Sequence, residues 1–99
     1  MKLRVSSNDD EVFLFERVVK HLQLSYGYPH DEAIVLINEY YLKFTDKDYC
    51  DKYDISVQTM DFFGHIEARG MADRVHYYQG LKHEPDEAEF IKWQRNVRM

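Results

Sequence analysis

The residues of this chain best equipped for chemistry fall in one short run. Asp61, His65, Arg69, Asp73 and His76 recur at steps of four, four, four and three. On a helix, residues three or four apart share a face, so this spacing predicts a single polar stripe. Within it, Asp61–His65 and Asp73–His76 each set a carboxylate beside an imidazole. Such a pair can ligate a metal, or the carboxylate can orient the histidine as a general base. The stripe is not His-Glu-x-x-His, no matching cluster occurs elsewhere, and Arg69 in its middle would repel a cation. The two other readings are a solvated helix face laced with local ion pairs, and a face that meets a protein partner.

Glu67 and Arg74 form a second feature. Both fall inside the apolar arc of the same stretch, and charges are rarely buried unless paired. The sequence allows three readings: a buried pair supported by the hydroxyls of Tyr40, Tyr41 or Tyr77, a helix break that dissolves the arc, or a site. In the last case Glu67 becomes a candidate acid or base with a raised pKa. Asp46, Asp48, Asp51 and Asp54 suggest calcium, but an EF-hand loop counted from Asp46 would need glycine at Asp51 and glutamate at Val57. That motif is rejected. Cys50 sits among aspartates and reads as a quiet, structural thiol. No phosphate-binding glycine loop, zinc knuckle or nucleophile elbow is present.

Stepping from these residues to the elements that carry them, the stretch 56–80 reads as one long amphipathic helix around which the rest packs. Met60, Phe63, Ile66, Gly70, Arg74, Tyr77 and Tyr78 make its apolar arc, Ser56 its N-cap and Gly80 its C-terminal stop. Gly64 and Gly70 cut against continuity, and a joint at Gly70 is the alternative. Before it, Asn8 or Ser7 caps a helix over 8–26 whose first turn carries Asp9, Asp10 and Glu11. Pro29 opens a second helix over 29–44, close behind the first and so its antiparallel neighbour. Thr45 and Asp48 fit a capping box for a short helix at 46–52. Asp86 and Glu89 fit another, for a last helix over 86–97 with a narrow apolar face of Phe90, Ile91 and Val97 and with Trp93 near its edge. Residues 1–7 read as an extended or flexible arm. No segment alternates with period two, so the expected fold is an all-α, single-domain bundle of four main helices plus one short one.

Composition limits the function classes. The 99 residues suit one domain, and 44% apolar residues are enough for a core. The net charge of −5 is spread, with 6 basic and 9 acidic groups in residues 1–50 and 7 and 9 in residues 51–99. That disfavours nucleic acid and anionic membrane and favours a basic partner. The cluster Lys92, Arg95, Arg98 is too small to reverse this. One cysteine, no span of about 18–20 apolar residues and no signal-peptide pattern point to a cytoplasmic protein. Fifteen aromatic residues are generous for so small a bundle, and Phe13, Phe62, Tyr49, Tyr53 and Trp93 are hard to place in one core. Rings left outside suit an interface.

In size, acidity and helical build the chain resembles the small immunity proteins that block bacterial nuclease toxins. The resemblance is one of architecture and charge and carries over no residue. The leading expectation is a non-enzymatic module that binds another, basic protein through Asp61, Phe62, His65, Arg69 and Asp73, with the acidic 46–54 loop beside them. The alternative is a small metal-binding or hydrolytic domain using Asp61, His65, Asp73 and His76. No cofactor is implied, and homo-oligomerisation is compatible with either.

Overall fold

Asn8 closes the start of the first helix, its side-chain oxygen accepting the Glu11 N–H at 3.1 Å. From there α1 runs over Asp9–Tyr26 and ends at Gly27, whose φ of 72° is the left-handed stop that glycine adopts without strain. The computed structural model describes residues 2–98. Met1, Met99 and the side chain of Met60, which the sequence places on the apolar arc, lie outside the described residues.

A three-residue link leads to α2, His30–Phe44. The two helices pack through Phe15, Val18, Val19 and Leu22 from α1 and Ala33, Ile34, Ile37, Tyr40 and Phe44 from α2, all buried. The arm before α1 is docked. The Asn38 amide brackets it, accepting from the Arg4 N–H at 2.6 Å and donating to the Lys2 carbonyl at 3.0 Å. Val5 enters the core. α3 follows over Lys47–Lys52. Its cap is Asp46, not Thr45. The Asp46 carboxylate accepts the Tyr49 N–H at 2.9 Å, and the Thr45 hydroxyl turns back to the Tyr41 carbonyl.

The expected long helix over 56–79 is not formed. Residues 55–59 are not helical, so Ser56 caps nothing. α4 is one short turn, Met60–Gly64, and α5 runs over Ala68–Val75. The joint lies at 65–67 rather than at Gly70, with Glu67 extended at the α5 N-cap position. The reason is phase. Ala68, Met71, Ala72 and Val75 are all buried and stand at i, i+3, i+4 and i+7, a complete helical stripe of their own. An unbroken helix would carry the Phe63–Ile66 phase forward and turn Ala72 outward. The break resets it, so that Phe63 and the α5 stripe both reach the core.

α5 then widens into a π-helical turn, His76–Gly80, closed by the Leu81 N–H on the His76 carbonyl at 2.8 Å. The wider turn buries three consecutive residues, Tyr77, Tyr78 and Gln79. Gly80 ends it, but only Gly27 among the glycines has positive φ. Glycine is needed at 80 for closeness: a methyl group there would fall on the Tyr28 hydroxyl. α6, Glu87–Val97, is capped by Asp86, which accepts the Glu89 N–H at 3.2 Å. Among the described residues there is no strand, and no helix is long and apolar enough to cross a membrane. The all-α bundle is the observed architecture.

Candidate functional site

Asp73 sits where the end of α1, α5 and α6 converge, with 1% of its surface exposed. A buried carboxylate must be satisfied by donors. Tyr26 donates to it at 2.6 Å, Gln94 through its amide at 2.9 Å, and Arg98 through Nε at 3.0 Å, with a second Arg98 bond from Nη2 closing a fork. Burial, and then the bond to Asp73, push the Tyr26 phenol well above its ordinary pKa. The Asp73 carboxylate raises the pKa of Arg98 in turn.

His76 lies beside this group. Its ring stacks on Tyr26 with centroids 3.8 Å apart, and Trp93 tilts against it at 5.9 Å. Nδ1 meets the Tyr28 hydroxyl at 2.6 Å. Burial pushes the His76 pKa below 6.5, partly opposed by Asp73. In the neutral tautomer protonated on Nε2, the ring accepts the Tyr28 O–H at Nδ1. Burial also raises the Tyr28 pKa. The hydroxyl is thus held protonated and is not an activated nucleophile.

Arg74 is only 12% exposed in its side chain, and its partner is Glu87, in a two-pronged ion pair. The guanidinium lies between the rings of Phe90, at 4.7 Å, and Phe62, at 5.3 Å. Burial alone would lower its pKa, but the Glu87 carboxylate outweighs this and holds it above the ordinary value. Glu67, the anticipated partner, is exposed. The anticipated tyrosines are engaged elsewhere or packed. Tyr40 donates to Gln58 at 2.6 Å, Tyr41 to the buried Glu11 at 3.3 Å, and Tyr77 stacks on His83 at 4.1 Å.

The polar stripe therefore does not exist as one face. Asp61 lies on α4, His65 in the joint and Arg69 on α5, all exposed, while Phe62 is half-buried under Arg74. Asp73 and His76 point inward. Of the proposed pairs, Asp73 and His76 stay together, but both oxygens of Asp73 and Nδ1 of His76 are already used. Among the described residues no group of three or more His, Cys, Asp and Glu side chains comes within reach of one metal ion. Cys50 is buried, its thiol directed at the Phe44 carbonyl, and burial raises its pKa ahead of Asp46 and Asp51.

Tyr26, Tyr28, Glu87, Gln94 and Arg98 escaped the sequence reading. One signal was available: Phe90, Trp93 and Gln94 of α6 and Arg98 just after it stand at i, i+3, i+4 and i+8, and these are the residues that turn toward the core and Asp73. Ile91 and Val97 instead are exposed. What remains outside is mainly charge. Residues 46–62 carry five carboxylates and two lysines, −5 + 2 = −3 of the chain's −5, and all seven are exposed. Tyr49 and Tyr53 lie among them, half-buried with centroids 5.0 Å apart. Comparison of the chain with protein-family models, curated proteins and solved structures finds no match.

Proposed function

We propose that this chain is a non-enzymatic protein-binding module that meets a basic partner through the acidic, aromatic surface of residues 46–62. The supporting observation is the division of its polar groups. Asp73, Arg74, His76 and Arg98 are consumed in fastening helices together, and an enzyme needs such groups free and converging on one reactive point. The outward groups of residues 46–62 are carboxylates beside tyrosine rings, a combination that steers a cation-rich surface and gives it something to pack on. Lys47 neutralises Asp51 at 2.6 Å, which leaves Asp48, Asp54 and Asp61 as the carboxylates without an ion pair or capping bond among the described residues. Of the sequence-derived contact set, Asp61 and Phe62 belong to this surface, His65 and Arg69 follow it along the chain, and Asp73 is withdrawn from it.

The test is capture from a lysate of the source cell on the tagged chain, at low and at high salt, with bound proteins and metals both identified. A stoichiometric protein rich in Lys and Arg, released by salt, is the expected result. A stoichiometric metal, or a partner indifferent to salt, would overturn the reading.

A further inference from the structure

The non-helical segment between α3 and α4 is tied at its ends and free in its middle. The Ile55 N–H donates to the Cys50 carbonyl at 3.0 Å. The Gln58 N–H donates to the Phe44 carbonyl at 2.9 Å, and the Gln58 side chain accepts from Tyr40. Between these anchors, the N–H groups of Ser56 and Val57 and the carbonyls of Ile55, Ser56 and Val57 have no protein partner among the described residues. The segment forms one side of a groove of about 410 Å³, which Phe44, Ile55, Val57, Phe62 and Tyr78 line with apolar surface. A held, non-helical segment with unpaired backbone beside apolar pockets is what an extended peptide needs: its main chain pairs with the free N–H and C=O groups, and alternate side chains enter the groove.

Charge selects the occupant. Asp54 precedes the segment and Asp61 follows it; both are exposed, and neither is in an ion pair among the described residues. Across the groove, Glu87 is neutralised by Arg74, and Asp86 is held by the Glu89 N–H. The uncompensated charge is thus negative, at Asp54 and Asp61 on either side of the segment and at Asp86 across the groove. We propose that the groove receives an extended segment of a protein partner, with alternating apolar side chains and a Lys or Arg toward each end. This rests on the protein-binding reading and names its site and the chemistry of the segment.

The experiment selects binders to the full chain from a displayed random seven-residue peptide library, then titrates the enriched peptides into isotope-labelled protein. Alternating apolar and basic sequences should be enriched and should move the Ser56 and Val57 amide resonances. The double variant Asp54→Asn, Asp61→Asn should weaken them by on the order of tenfold. Asparagine tolerates the left-handed backbone of Asp54, φ 55°, so this variant should keep the fold. Enrichment of acidic peptides, no enrichment, or resonance shifts confined to another face would overturn the inference. Should a salt-released partner from the lysate bind Val57→Lys as well as it binds the parent and lose affinity only for the double variant, the groove is wrong and the module reading stands. If neither a protein nor a peptide is bound, both fail.

Discussion

Asp73 is the residue on which most depends, because four hydrogen bonds end on one buried carboxylate. Removing a single partner of a buried ion pair leaves the other groups desolvated and unpaired, which costs more than the pair contributes. Asp73→Ala should destabilise the fold by about 3 kcal/mol. Arg98→Ala, which leaves Asp73 its bonds from Tyr26 and Gln94, should cost about 1–2 kcal/mol. Chemical denaturation of both variants checks the order, and equal losses would contradict the assignment of Asp73 as the hub. His76 gives a pH signature. Its folded pKa lies below 6.5, so the unfolded chain binds its proton more readily. The stability it contributes is therefore full above pH 6.5 and declines as the pH falls below that value. Urea midpoints across this window should fall less steeply for His76→Phe than for the parent.

The elements show where sequence reasoning holds and where it stops. α1 and α2 were legible because a cap, an acidic first turn and an apolar stripe agree in each, so local and tertiary preferences coincide. The region 56–80 defeats a single-helix reading because its apolar residues belong to two phases. Met60, Phe63 and Ile66 suggest one helix, Ala68, Met71, Ala72 and Val75 another, and a single arc drawn through both put Ala72 and Asp73 outside. The inward set of α6 was hidden for a different reason: half of it is polar, and Gln94 and Arg98 read as solvent-facing until a buried acceptor is known to await them. Gly80 shows the same dependence. Its value as a helix stop was readable, but its real constraint is the Tyr28 hydroxyl brought close by the π-helical turn. Gly80→Ala should drive Tyr28 away from His76 and cost about 1–3 kcal/mol, as overpacking does. In a Tyr28→Phe background the same change should cost less, and an undiminished loss measured by thermal melting would refute the clash.

For the whole molecule, interior and surface divide the work. Packed rings from Tyr40 through Phe44, Tyr78 and Phe90 run across the core from α2 to α6. Two ion pairs, Arg74–Glu87 and Asp73–Arg98, fasten α6 near its beginning and its end. The fold class was readable from helical spacing throughout the chain, whereas the location of any site was not, since it turns on which charges the packing consumes. Asp61, His65 and Arg69 remain outside and Asp73 does not, so the acidic surface shifts toward residues 46–62.

The most direct test is the association rate of the captured partner as a function of ionic strength. It should be followed for the parent chain and for Asp48→Asn, Asp54→Asn, Asp61→Asn combined. Electrostatic steering predicts a rate for the parent that falls by on the order of tenfold from low to physiological salt. The neutralised variant should already be slow at low salt. Rates that ignore both salt and the three substitutions would contradict the claim that this surface is what the protein presents to its partner.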